Sequence, residues 1–120
     1  MKKIDSIILS GKETLPLIEG GKGIAISSGE SSGAWAKAGG VGTFSGVNAD
    51  SFDDHGNLIE QKYYGKTRSE RHHELINFAI EGAITQARQA RDIAGKDAVL
   101  HMNILWEMAA AETILTQTLE

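Results

Sequence analysis

A chain of 120 residues, 41% hydrophobic and 23% charged, has ordinary globular composition and room for one domain at most. Its formal net charge of -4 leaves no electrostatic footprint for nucleic acid or an anionic membrane. The absence of cysteine excludes a disulfide framework, a thiolate nucleophile and thiolate metal sites within it. The opening MKKIDSIILSGK holds two lysines but too short an apolar run for a signal peptide, and no segment approaches the roughly 20 residues of a membrane span. A soluble, cytoplasmic protein is expected.

Fourteen glycines stand beside one proline, and most of them fall between Gly20 and Gly46. Apolar β-formers separate them, which marks tight turns and close backbone approaches rather than a linker. Leu15-Pro16-Leu17-Ile18-Glu19 predicts a buried strand that stops at Gly20-Gly21, with Pro16 tolerated only at its start. Ser31 and Ser32 offer N-cap hydroxyls for a short helix through Ala38, and Gly39-Gly40 supplies its stop. Val41 to Ser45 reads as a second strand, so the connection is a right-handed parallel crossover.

Residues 47–66 are polar, irregular and longer than most connections. Asp54-His55-Gly56-Asn57, lying between Phe52 and Leu58-Ile59, predicts a small hairpin in an inserted loop. Thr67 and Glu70 then have the spacing of a capping box. Leu75, Ile76, Ala79, Ile80, Ala83, Ile84 and Ala87 form one apolar helical stripe. Arg88 and Arg91 complement the dipole in the last turns, and Gly95 ends the helix. Ala98 to Leu105 follows as a third strand, and Glu107 to Leu119 as another helix.

Strand parity sharpens this α/β reading. Leu100, Met102 and Ile104 share one face and suit the helices, which turns His101 and Asn103 the other way. The same alternation groups Leu17 with Glu19, and Val41 with Thr43 and Ser45. Polar groups toward the C-terminal ends of strands, on one face, predict the mouth of a (β/α)-barrel. His101 reads as an interior residue satisfied by its neighbours. Asn103 and the glycine loop read as ligand contacts.

Other motifs fail on their own chemistry. Ser10-Gly11-Lys12-Glu13 hints at a phosphate loop, but Ser6 replaces the leading glycine and Glu13 would repel phosphate. Gly21-Lys22-Gly23 and Gly40-Val41-Gly42 both miss the third glycine of a dinucleotide fingerprint. His72 and His73 are adjacent on a helix and point about 100° apart, which suits solvated residues better than metal ligands. Ser27-Ser28-Gly29 lacks the residues of a nucleophile elbow. Trp35 and Trp106 read as packing residues.

Leu15-Pro16-Leu17-Ile18-Glu19-Gly20-Gly21-Lys22-Gly23 resembles the N-terminal signature of the nitronate monooxygenase family, formerly the 2-nitropropane dioxygenases. Ala34 to Gly42 matches the family's small-residue helix ending in Ala-Gly-Gly-Val-Gly, and Asn103 matches the Asn that closes its third strand. The resemblance spans residues 15 to 119. It implies the N-terminal βαβαβ portion of a (β/α)8 TIM barrel that binds FMN at its C-terminal face, with Gly21, Lys22, Gly23 and Asn103 approaching the flavin. It further implies oxidation of alkyl nitronates with dioxygen. Lys22 stands where the family has Met, and Glu19 where it has Gln. Residues 47–66 stand as an insertion. The family's catalytic His belongs to later strands, so no catalytic residue carries over.

On this reading 120 residues supply three strands of eight, which leaves a barrel remainder or self-association to cover the open edges, and tight FMN binding by the chain alone is not expected. Two other readings stay open. One is a noncatalytic α/β module that needs a partner chain. The other is a flavin enoyl-acyl-carrier-protein reductase of the same barrel type.

Overall fold

The computed structural model describes residues 4–120. Ser10 and Gly11 both take positive φ, 50° and 75°, and this left-handed pair makes the two-residue turn joining strands β1 (Ile7–Leu9) and β2 (Lys12–Thr14). The residues that hinted at a phosphate loop are therefore the turn of an antiparallel hairpin. Lys12 Nζ donates to the Lys96 carbonyl at 3.1 Å, and Thr14 Oγ1 to the Gly39 carbonyl at 2.8 Å. Both carbonyls precede parallel strands, so the hairpin lies at the N-terminal end of the sheet.

That sheet is parallel and follows chain order. β3 (Gly42–Ser45) pairs with β4 (Leu100–Asn103) from Gly42 opposite Leu100 to Ser45 opposite Asn103. On the other side of β3, residues 15–19 run alongside in extended form. Val41 donates to the Leu17 carbonyl at 2.8 Å, and Glu19 to the Val41 carbonyl at 2.9 Å, which pairs Ile18 with Val41. The expected strand at 15–19 is therefore present as one bridge, but it is not buried. Leu17 is 46% and Ile18 53% exposed, because this is an edge with nothing packed over it among the described residues.

The pairing also corrects the parity at Glu19. With Ile18 opposite Val41, Glu19 falls on the face of Gly42, toward the helices, and not with Thr43, His101 and Asn103. Parity within one strand cannot set the register between two.

Helix α1 (Gly29–Lys37) begins earlier than expected. Ser28, not Ser31 or Ser32, is its N-cap, its hydroxyl accepting from the Ser31 amide at 3.1 Å. The chain leaves α1 at Ala38 and turns through Gly39 at φ 101°. Helix α2 (Arg68–Ala94) starts with the expected capping box. Thr67 Oγ1 accepts from the Glu70 amide, and Glu70 Oε2 accepts from the Thr67 amide at 2.8 Å. These backbone donors, Thr67's first, hold the Glu70 carboxyl below its ordinary range. At the far end Arg91 donates to the carbonyls of Gly95 and Ala98, and Gly95 takes φ 86°. The hairpin within 47–66 is also present, with Phe52 bridging Leu58 and the Asp53 carboxylate accepting from the His55 and Asn57 amides.

The third strand and last helix are shorter than expected. Residues 105–110 are spent on successive turns, and helix α3 (Ala111–Leu119) starts without a side-chain cap at Ala110. Met102 and Ile104 face the helices as expected, packing against Ala79, Ala83, Ala110 and Ile114. This interior is made of small residues. Larger ones lie outside: Leu105, Trp106 and Leu119 are 51%, 66% and 79% exposed, so Trp106 is not a packing residue. The radius of gyration is 15.8 Å, against roughly 14 Å for a compact chain of this length.

Candidate functional site

The glycine loop, residues 20–27, leaves the first strand at its C-terminal end. There the parallel ladder calls for the Thr43 amide to meet the Glu19 carbonyl, yet it donates to the Glu19 carboxylate at 3.0 Å. The other carboxylate oxygen accepts from Ser31 Oγ of α1 at 3.2 Å. Glu19 thus finishes the ladder with its side chain, and the backbone is free to turn away at Gly20.

The loop then folds back onto β3. Ser45 donates to the Ser27 carbonyl at 2.7 Å, and Ala25 to the Val47 carbonyl at 3.3 Å. Ser27 is buried, and its hydroxyl accepts from the Lys22 amide at 2.8 Å. The turn is tight enough that Ile24 and Ala25 both adopt left-handed backbone, φ 41° and 59°. That conformation is unfavourable for a β-branched residue and is a form of strain found at ligand-contacting loops.

Two of the expected site residues meet. A Cβ on Gly21 would lie 2.9 Å from the Asn103 Cβ, so only glycine lets the loop press against the Asn103 side chain. The contact reaches from the end of the first strand to the end of the third, across β3. Gly23 has open space around it, and Lys22 is an exposed side chain whose amide is already held by Ser27. No hydrogen bond among the described residues uses the Gly21 or Gly23 amide. Lys22 forms no ion pair with Glu19, whose oxygens are occupied by Thr43 and Ser31.

A cleft of about 1090 Å³ runs along the free edge of β4, with Glu19, Gly21, Thr43, His101 and Asn103 in its walls. Thr43 and His101 are directly paired in register and share a face. His101 is exposed and makes no side-chain hydrogen bond, so it is not the satisfied interior residue that was expected. Thr43 is 6% exposed, and its Oγ1 is buried without a hydrogen-bond partner among the described residues. Sequence reasoning missed this atom because an unmet hydroxyl is a property of packing. A more open depression of about 800 Å³ lies beside Tyr63, Arg68, Arg71 and His72 and shares none of these residues. No group of metal-ligating side chains occurs among the described residues, and no described helix is long and apolar enough to cross a membrane.

FMN is the group that the sequence resemblance implies for these walls. Glycine without a side chain, an Asn offering both donor and acceptor, unused amides at Gly21 and Gly23, and an unmet hydroxyl suit a flat heteroaromatic ring with polar edges. The residues present fit that group. No protein-family model matches the chain, and no curated protein matches it significantly. The class defined by the fold is an α/β protein with a parallel sheet and a glycine-loop cleft at the strand C-termini.

Proposed function

We propose that the chain is the N-terminal part of an FMN-dependent oxidoreductase of the (β/α)8-barrel type, resembling nitronate monooxygenase and acting on alkyl nitronates with dioxygen. The observation that carries this reading is the packing of Gly21 against Asn103, which joins the glycine loop to the third-strand Asn at one end of the sheet. Three parallel strands in chain order, the free edge of β4 and the exposed Leu105, Trp106 and Leu119 support a barrel continued by further strands. The same proposal carries a cytoplasmic location, in keeping with a chain that has no cysteine.

FMN, when bound, supplies reversible electron transfer to and from the substrate and dioxygen. The chain's own residues bind and orient. Gly21 and Gly23 offer backbone amides, Asn103 a side-chain amide, and Glu19 keeps the loop anchored to β3 through Thr43 and Ser31. Lys22 projects from the same loop as a solvent-facing cation.

The test is an amide-resolved NMR titration of the chain with FMN. Weak binding with shifts centred on Gly21, Lys22, Gly23 and Asn103 is expected. Shifts confined to the Arg68 to His72 surface, or none at all, overturn the site. Tight stoichiometric binding by a monomer overturns the incomplete-barrel reading. Turnover of enoyl thioester with NAD(P)H, rather than nitronate, by the complete gene product would assign the reductase instead.

A further inference from the structure

We infer that the Thr43 hydroxyl is a flavin-ring contact, a role that the resemblance does not assign to the second strand. The inference rests on the FMN reading and deepens it. Thr43 is 6% exposed and lines the cleft, yet its Oγ1 finds no hydrogen-bond partner among the described residues. Nearly every buried hydroxyl in a folded protein is hydrogen-bonded, because leaving one unmet costs its desolvation with no return. The neighbourhood explains the orphan. The Thr43 amide is taken by Glu19, and neither His101, its partner across the ladder, nor Asn103, two residues on, forms a hydrogen bond with its hydroxyl.

The hydroxyl can reach that cleft without moving the backbone. A χ1 step of about 120° between staggered rotamers carries the Thr43 hydroxyl to the site now held by its methyl or its Cβ hydrogen, and threonine populates more than one such rotamer. A hydroxyl both donates and accepts, so it can meet either a carbonyl or an imino edge of the ring. The Gly21 to Asn103 contact sits beside it at the end of the same strands. Loop, hydroxyl and amide then address one ligand from three strands.

The experiment compares the chain with Thr43→Val and Thr43→Ser, using FMN and riboflavin as separate probes in NMR titrations and following thermal unfolding of the free proteins. T43V removes the hydroxyl at nearly constant shape. It is expected to weaken both flavins by about threefold to tenfold, the range of one hydrogen bond. It is also expected to raise the melting temperature of the free protein by about 2–5 °C, because an unmet polar atom is gone. T43S should bind like the parent. A T43V protein that melts lower shows that Thr43 is bonded within the protein and overturns the inference. So does equal flavin binding by parent and T43V, which leaves the FMN reading standing. A loss confined to FMN assigns the hydroxyl to the phosphate and overturns the ring contact. Absence of any flavin binding by the parent overturns the FMN reading itself, and the inference with it.

Discussion

Where α1 and α2 cross β3, the contact is built from glycine and alanine pressed on backbone. A Cβ on Gly82 would run into the Ala49 carbonyl, and one on Gly42 into the Ser32 carbonyl, while Ala83 and Ala90 have no exposure at all. Along the free edge of β4 the pattern is reversed. Leu105, Trp106 and Leu119 are large, apolar and open, and Ile114 is the one large side chain in the buried cluster beside them. The first region is complete with the residues the chain supplies, and its tolerances are those of a finished core. The second is an apolar surface open to solvent among the described residues. The difference teaches that side-chain size divides this fold, with small residues at the closed contact and large apolar ones left open to solvent.

The sharpest break of that comparison is Gly82→Ala, because neither the helix nor the Ala49 backbone can yield cheaply. A loss of about 3 kcal/mol in denaturant unfolding is expected, and a loss under about 1 kcal/mol would show the packing of α2 on Ala49 to be loose. Gln86 lies on the same helix, its side chain accepting from the Gly29 amide and donating to the Asp50 carbonyl, each at 2.6 Å. Gln86→Ala strands the buried Gly29 amide and releases the Asp50 carbonyl, and should cost about 2 kcal/mol by the same measurement.

The loop gives a smaller and more selective contrast. Gly21→Ala must displace Asn103, at a cost of about 1 kcal/mol, and should abolish the FMN-dependent shift at Asn103. Gly23→Ala, with open space at its Cβ, should stay within about 0.5 kcal/mol of the parent. On the open edge, Trp106→Ser should change stability by no more than about 0.5 kcal/mol while reducing any self-association seen by light scattering. A large loss of stability there would mean that the edge is already covered.

The smallest effect is acid fraying of α2. Glu70 has a carboxyl lowered by the Thr67 and Lys66 amides, so its contribution is present above its ordinary pKa near 4.5 and is lost as pH falls below that. Amide-exchange protection factors at Lys66, Thr67 and Glu70 should fall between pH 5 and about 2 before those of the rest of α2 respond.

Much of this was legible in local signals. The Thr67 and Glu70 capping box, the Gly39 and Gly95 stops and the Asp54-to-Asn57 turn each act within a few residues, so spacing alone finds them. The meeting of Gly21 with Asn103 was reachable only through the family resemblance. Three features were not legible. Ser10-Gly11 makes a hairpin only because β1 and β2 pair, and the four serines from Ser27 to Ser32 are separated only by Gly29 and Glu30, which hides the true cap at Ser28. Glu19 sits on the helix side because of a register set between strands. The orphan at Thr43 depends on everything around it.

The capping box has a consequence for how the chain assembles. β3 and β4 pair although the whole of residues 47–66 and α2 lies between them, and closing a flexible loop of that length would be slow. A capped 27-residue helix forms from local bonds within about a microsecond and replaces much of that loop with a rod. Only the two tethers at its ends then remain to be searched. Thr67 and Glu70 are far from the cleft, yet they set how soon Thr43 and His101 can come side by side.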